Sequence, residues 1–340
     1  MIRAFTVLIF GLTAGFMFDY INIPAGWLLG ALLFGILYGL SRSDVTYDGV
    51  PFKLALTLVG ANIGILMERE LFGVLGTYFV PLFISLLLTF AGSFCLGWLL
   101  FKRAPMLDKR TALFCCIPGG ASEIISVSGD YGADSRIVAA FHTARITFFV
   151  LLIPLIAGVW SPGDTFELPE ESSIFTVEHF VIFVLVIAAA SFLNSRWKIP
   201  AGALLYAILL GFFLGEFVFD IEEVPSYIGG IGQALIGVMV GVRFDRKTFL
   251  RLKQVGFISA RIIFLFLVLG FLLAYVFHVL SGASYVVSLL SIVPAGAAEM
   301  SATAFALGLA PTLVASLQIL RVIAIFLSLP FIIKMIEKSD

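Results

Sequence analysis

Charged residues, cysteines and histidines are scarce in this sequence. Only 13% of its 340 residues are charged, and it has three cysteines and three histidines. Three cysteines in apolar segments do not form a disulfide framework, and no His or Cys pair at ligand spacing indicates a metal site. The short polar clusters leave no stretch long enough for a soluble catalytic or nucleic-acid-binding domain. We therefore expect no cofactor, no metal and no nucleic-acid partner.

Apolar residues dominate instead. They make up 61% of the chain, with 35 phenylalanines, and the mean hydropathy is +1.10. A water-soluble fold could not cover so much apolar surface. We therefore expect an all-α polytopic protein of the cytoplasmic membrane, surrounded by the lipid bilayer. The opening segment, MIRAFTVLIFGLTAGF, has no small-residue cleavage site before polar sequence, which favours a retained first helix over a signal peptide.

One long stretch of sequence occurs twice. IPGGASEIISVSGDYGADSRIVAAFHTARITFFVLLIPLI begins at Ile117, and VPAGAAEMSATAFALGLAPTLVASLQILRVIAIFLSLPFI begins at Val293, an offset of 176 residues (293 − 117). The similarity extends to IPAGWLLGALLFGILYG from Ile23 and IPAGALLYAILLGFFLG from Ile199, at the same offset (199 − 23). The sequence therefore predicts an internal duplication of a membrane unit.

Apolar runs long enough for transmembrane helices occur five times in each half. The chain is thus predicted to contain membrane repeat 1 (1–160), a polar extracytoplasmic linker (161–173) and membrane repeat 2 (174–340). The Pro-Gly stretches at 111–130 and 287–306 are left over as broken or re-entrant segments. The ten predicted spans are at about 4–20, 23–41, 50–67, 72–101, 135–158, 175–193, 199–216, 225–242, 254–278 and 312–333.

Loop charges indicate that the two repeats are inverted. Lys and Arg accumulate in short cytoplasmic loops, yet Lys102 and Arg103 correspond to the uncharged SGASYVV from Ser281. The basic run from Arg243 to Lys253 likewise corresponds to the mixed Glu-Arg-Glu at 68–70. Corresponding loops are therefore predicted on opposite sides, with both termini cytoplasmic. The alternative, parallel repeats of six spans each, would need the same charge sign in matched loops.

Each repeat has a Pro-x-Gly-Ala-x-Glu turn, followed 22 residues after its glutamate by an arginine (145 − 123; 321 − 299). A helix rising 1.5 Å per residue from Ser135 places Arg145 roughly 13 to 15 Å along, near the middle of a ~30 Å hydrocarbon core. His142 and Gln318 precede the arginines by three residues and share their helix face. Broken backbone and opposite charges at mid-depth predict a site where the segments meet.

Half-helix ends at such breaks offer a positive amino end to anions and a negative carboxyl end to cations. The candidate substrate- or ion-binding residues are Pro118, Gly119, Gly120, Ser122, Glu123, His142, Arg145, Pro294, Gly296, Glu299, Gln318 and Arg321. Alternatively, each arginine only braces its own half, by pairing with Glu123 or Glu299 and with freed carbonyls. Glycines outside the turns are expected to serve close helix packing: Gly60, Gly64, Gly237 and Gly241.

The twin P-x-G-A-x-E turns, followed by H-T-A-R or Q-I-L-R, resemble the bacterial AbrB membrane-protein duplication family across essentially the whole chain. That family shares its name with a soluble DNA-binding transition-state regulator but is distinct from it, and its members are labelled regulators or ammonia monooxygenases. It is similar to the cation:proton antiporter and anion transporter superfamily. The resemblance implies inverted five-helix repeats with broken helices crossing at a central site. The paired aspartates frequent in those antiporters are absent here, so ion identity does not carry over.

A secondary transporter that moves a small, anionic solute by alternating access is the function we expect, since two arginines at mid-depth favour an anion such as a carboxylate. Protons or Na⁺ are the candidate coupling ions. The alternative is a membrane sensor or regulator that binds a small ligand at the same site and acts through a partner. An enzyme is not expected, because no copper or iron ligand set supports an oxygenase. A homo-oligomer is left open.

Overall fold

All described residues of the computed structural model lie in helices or the turns between them. The structure describes residues 2–42, 44–47, 49–67, 69–119, 121–160, 176–199, 201–219 and 224–337, so the predicted linker at 161–173 lies outside them. The α-helices are α1 Ile2–Tyr20, α2 Gly26–Arg42, α3 Val50–Ile65, α4 Glu70–Leu75, α5 Phe79–Arg103, α6 Lys109–Cys116, α7 Ala121–Asp130, α8 Ser135–Trp160, α9 Val177–Arg196, α10 Gly202–Leu214, α11 Ser226–Arg243, α12 Arg246–Val255, α13 Phe257–Ser281, α14 Tyr285–Ile292, α15 Ala297–Ala306 and α16 Pro311–Glu337.

Six helices of the described chain are long and apolar enough to cross a membrane, by length and composition. They are Gly76–Arg103 (which includes α5), α8, α9, Gly202–Phe219 (which includes α10), α13, and Pro311–Ser328 (part of α16). The pair α11 and α12, bent by 53°, would add a seventh as one span. The apolar helices α2 and α3 are shorter, at 17 and 16 residues. The predicted all-α polytopic class is confirmed, and the count of ten spans stays a prediction.

Each Pro-Gly stretch is a pair of short helices separated by a break. Residues 117–120 separate α6 from α7, and residues 293–296 separate α14 from α15. The residue before each proline is extended, with φ −60° and ψ 128° at Ile117, and φ −63° and ψ 134° at Val293. Proline disfavours the helical conformation in the residue before it and has no N–H to continue the helix. The prolines therefore end α6 and α14.

The helices of the second half follow the spacing of the first. Helices α2, α6, α7 and α8 begin at residues 26, 109, 121 and 135, and α10, α14, α15 and α16 begin 176 residues later, at 202, 285, 297 and 311. Helix contacts also correspond between the two halves. Helix α2 packs on α11, and its counterpart α10 packs on α3. Helix α8 packs on α12, its counterpart α16 packs on α4, and α5 packs on α13. How the halves are oriented in a membrane stays a prediction.

Helix α2 packs on α11, and α10 on α3, with backbone against backbone at glycines. A Cβ added to Gly35 would lie 2.6 Å from the carbonyl oxygen of Val238, and one added to Gly60 would lie 2.7 Å from that of Leu204. Gly64 and Gly241 are also too close to the opposing backbone to carry a side chain. Small residues permit such contact where lipid removes the hydrophobic drive for helix association. The packing predicted for these glycines is therefore observed.

Candidate functional site

A side chain from the following long helix replaces the hydrogen bond that each proline cannot make. In an α-helix the carbonyl of residue 290 would accept from the N–H of residue 294, but Pro294 has none. Nε2 of Gln318 donates to the Leu290 carbonyl oxygen instead, at 2.5 Å. In the first half, Nε2 of His142 donates to the Phe114 carbonyl oxygen at 3.1 Å, four residues before the other proline. His142 and Gln318 thus have the same structural role.

Arg321 continues this arrangement at the carboxyl end of α14. Its Nη1 donates to the carbonyl oxygen of Val293 at 2.7 Å and also to that of Ile292. The last carbonyls of a helix have no helical partner and carry partial negative charge. The guanidinium is 4% exposed, so this contact is made away from bulk water. Arg321 therefore takes the position that a bound cation would take at this helix end.

Arg145, the counterpart of Arg321, makes different contacts. Its Nη2 donates to Nδ1 of His142 at 3.2 Å, and its guanidinium carbon lies 5.2 Å from the ring centroid of Phe266 on α13. Because a guanidinium only donates and a carbonyl only accepts, His142 is neutral with its proton on Nε2. Arg145 is 2% exposed, and its Nε and Nη1 have no hydrogen-bond partner among the described residues. Among the described residues, Arg145 therefore has fewer hydrogen-bond partners than Arg321.

The two arginines also approach each other, near enough for the charge of Arg145 to act on Arg321. Like charges in a poorly solvated interior repel strongly, and each guanidinium is costly to bury without compensation. Arg321 is compensated by the carbonyls of its helix break, whereas Arg145 has one imidazole nitrogen and one aromatic face. Among the described residues, the pair therefore contributes positive charge that is only partly compensated.

The glycine and glutamate of the second turn depend on each other. Gly296 is the N-cap of α15 with φ 106° and ψ 131°, a backbone conformation that residues other than glycine rarely adopt. A Cβ at this position would also collide with the carboxylate of Glu299, which folds back over the glycine. Glu299 is residue N3 of α15, so its carboxylate lies at the positive amino end of the helix. The motif thus places a carboxylate at a helix start.

Glu299 and Arg321 do not form an ion pair. Both are described, and their side chains are not within salt-bridge distance of each other; Arg321 donates to backbone carbonyls instead. The hypothesis that each arginine braces its half through the glutamate is therefore wrong for the second half, and its other part, bracing through freed carbonyls, is correct there. For the first half, the side chain of Glu123 lies outside the description.

The two helix breaks face one cavity of ≈ 290 Å³. From the second break it is lined by Pro294, Gly296 and Glu299, with Arg321 from α16. From the first half it is lined by Gly119 at the break and Ile146 next to Arg145, and further sides come from α3, α9, α10 and the end of α11. The structure therefore brings five predicted site residues to one space: Gly119, Pro294, Gly296, Glu299 and Arg321.

The remaining predicted residues lie behind this cavity or outside the description. Pro118 is buried, and His142, Arg145 and Gln318 are buried side chains that do not line the cavity. Gly120 is outside the described residues, as is the side chain of Ser122.

Three polar residues on the cavity wall were not predicted from the sequence: Lys53, Asn194 and Arg243. The guanidinium carbon of Arg243 lies 4.1 Å from the ring centroid of Phe52, which turns the side chain along the end of α3. The loop charges predict Arg243 as the first residue of a basic loop, and Lys53 falls within the predicted span at 50–67. Their position inside or at the end of an apolar helix was the signal that could have identified them.

Three cations and one carboxylate therefore line the cavity, namely Lys53, Arg243 and Arg321 with Glu299. Such a set offers charge-assisted hydrogen bonds to a small anion, and guanidinium groups suit carboxylate or phosphate geometry. Within the described part of the chain, no group of three His, Cys, Asp or Glu side chains is arranged to hold a metal ion.

Comparison with known proteins gives the family. The model of the family described as "Transition state regulatory protein AbrB" matches residues 3–100 and 27–337. A protein of Escherichia coli (strain K12), named "Putative regulator AbrB", is 25% identical over 243 residues, covering 71% of this chain and 69% of its own. "Uncharacterized protein YhjN" of Bacillus subtilis (strain 168) is 24% identical over 348 residues, covering 93% and 88%. Since the family model matches most of its length, the chain belongs to the AbrB family.

Proposed function

We propose that this protein is a secondary transporter that moves a small, anionic solute across the cytoplasmic membrane by alternating access. The observation that carries the proposal is the cavity between the two helix breaks, lined by Lys53, Arg243 and Arg321. Its ≈ 290 Å³ suits a small solute. Among the described lining residues, three cationic side chains against one carboxylate give a formal charge of +2 (3 − 1) when all four are ionised. Binding of an anion offsets that charge.

Alternating access requires two halves that can exchange roles, and the helix spacing and the corresponding helix contacts support this. The two ends of the molecule differ, since the cavity is open at one end and aromatic side chains close the other. This difference fits one of the two states of an alternating-access transporter. Lys53 lines the open cavity, while its counterpart is Gly230 (230 − 53 = 177, the offset that also relates Gly60 to Gly237), and the neighbouring Gly229 is covered by the ring of Phe305. A Cβ on Gly230 would lie 2.7 Å from the indole of Trp27. In the predicted topology, the cavity opens to the cytoplasm and the aromatic side chains close the outer end.

Flux measurement tests this proposal. Purified protein is reconstituted into proteoliposomes and offered radiolabelled acetate, succinate and inorganic phosphate in turn. We expect saturable uptake of at least one anion, and a loss of about tenfold or more in apparent affinity for Lys53→Gln and Arg243→Gln, since a charged hydrogen bond contributes about 1.5–3 kcal/mol. Lys102→Gln is the matched control, because Lys102 lies over the Trp98 ring outside the cavity. Absence of flux for every anion would contradict transport.

A membrane sensor or regulator is the second candidate, and the name of the Escherichia coli relative, "Putative regulator AbrB", favours it. A sensor would use the same cavity to bind a ligand and would signal through a partner protein, without moving the ligand. Ligand binding raises the apparent thermal stability in either case. Stabilisation by an anion in purified protein, together with no flux of that anion in proteoliposomes, would therefore select the sensor.

A further inference from the structure

We propose that Glu299 links anion binding in the cavity to uptake of a proton by the same carboxyl group. This inference rests on the proposed function and names its coupling ion. The anion and the carboxylate are competitors for one place, because Glu299 carries its own negative charge into a cavity whose other charged lining residues, among those described, are the cations Lys53, Arg243 and Arg321. The carboxylate of Glu299 thus occupies the position that a solute anion would take.

The geometry of α15 places this carboxylate where an external anion would bind. The amino end of a ten-residue helix directs free N–H groups and partial positive charge at its first turn. Glu299 folds back over Gly296 at that end, and both residues line the cavity. A solute anion near Arg321 and the start of α15 would therefore meet a carboxylate already in place.

Burial of Glu299 disfavours its ionised form, while the positive start of α15 and the surrounding cations favour it, so a bound anion that competes for the same positive field shifts this balance towards the protonated form. Glu299 is 6% exposed and forms no ion pair with any described residue. Arg321 is directed at carbonyls, and its Nε remains without a partner among the described residues. A buried carboxylate without a direct cationic partner is the group whose charge is most easily given up on protonation.

The other charged groups around Glu299 on described residues are all cations. Of the helices that pack on α15, α11 contributes Arg243, α3 contributes Lys53 and α16 contributes Arg321, with Arg145 of α8 behind it. Helix α14 has no charged residue, and α2 has only Arg42, at its last position. His142 is held neutral by its two contacts. Protonation of Glu299 therefore removes the only negative charge among these described groups and raises the formal charge of the cavity from +2 to +3.

The sign of the linkage follows from this. Solute anion and ionised Glu299 repel each other, so the anion binds more tightly to the protonated protein, and the protonated form is stabilised by the bound anion. Linkage of one proton makes the apparent affinity rise by up to ~tenfold for each unit of falling pH until Glu299 is already protonated in the free protein. Anion and proton would then cross the membrane together.

Binding titrations across a pH series test the linkage, with acetate, succinate and inorganic phosphate as probes. The wild type should bind its anion more tightly as the pH falls. Glu299→Gln, which keeps the shape of the side chain but cannot ionise, should bind tightly at every pH and should exchange anion across a membrane without proton-driven accumulation. Glu216→Gln is the matched control, because Glu216 forms an ion pair with Arg69, at 2.6 Å, and does not line the cavity.

A second measurement uses the wild type alone, in case the variant does not fold. In weakly buffered solution, binding of one anion should take up about one proton. Binding without proton uptake, or a Glu299→Gln variant with unchanged pH dependence, would overturn the linkage and leave anion transport standing. Affinity that follows Na⁺ concentration rather than pH would also overturn it. If no probe anion binds or crosses with the wild type, the proposed function itself fails.

Discussion

The two helix breaks have the same proline, glutamate and arginine spacing, but their arginines have different partners. Arg321 donates to two carbonyls of its own break, whereas Arg145 donates to His142 and keeps two nitrogens without partners among the described residues. A duplicated sequence therefore does not imply duplicated roles. One arginine stabilises a helix end, and the other contributes charge to the interior.

Accessibility of the loops gives the largest expected difference between the halves. With Cys95 replaced by serine, because it is exposed, a cysteine at Ser281 should react with an impermeant reagent from outside, and one at Lys102 should not. Labelling of Lys102→Cys but not Ser281→Cys would reverse the orientation. Equal labelling of both would contradict the inverted repeat.

Removal of each arginine should then separate structure from charge. Arg321→Gln leaves the Ile292 carbonyl unpaired, whereas the Val293 carbonyl still accepts from Gln318 and Ala295, and the change should lower the free energy of unfolding by about 2 kcal/mol or more. Arg145→Gln loses one hydrogen bond, to His142, among those made with described residues, so its cost should be about 1 kcal/mol. Chemical denaturation of the purified variants in detergent measures both. Equal losses would contradict the proposed division of roles.

The next effect concerns His142 and Gln318, which each donate a hydrogen bond to the carbonyl four residues before the proline of their own half. His142→Gln keeps a donor for the Phe114 carbonyl and should cost less than about 1 kcal/mol, whereas His142→Leu leaves that carbonyl unpaired and should cost about 2 kcal/mol. Gln318→Leu should resemble His142→Leu. The measurement is the midpoint of thermal unfolding for the four proteins. A glutamine variant as unstable as the leucine variant would show that the imidazole has another role.

The smallest expected effect is the coupling between Glu299 and Arg321. Because the two side chains do not touch, Glu299→Gln, Arg321→Gln and the double variant should give nearly additive changes in unfolding free energy, with a coupling below about 1 kcal/mol. A larger coupling would restore the ion pair that the sequence suggested. Anion binding, in contrast, should respond to both residues, because both line the cavity.

Much of the fold could be predicted from local sequence. Apolar runs gave the long helices, and the prolines gave the breaks after α6 and α14, because an imino nitrogen cannot continue a helix whatever its surroundings. The partners of the buried polar groups could not be predicted in this way. Gln318 and Arg321 bind carbonyls 25 to 29 residues earlier in the chain, and only the packing of α16 against α14 decides which carbonyls are within reach.

The sequence by itself determined the all-α membrane class, the duplication, the two breaks and the presence of buried charge, since these depend on composition and on the chemistry of proline, glycine and arginine. Tertiary structure alone decided that Glu299 faces its own helix start rather than Arg321, and that Lys53 and Arg243 join it around one cavity. Those contacts join α3, α11, α15 and α16, which are far apart in the chain. Such proximity is set by how helices pack, and no local pattern encodes it.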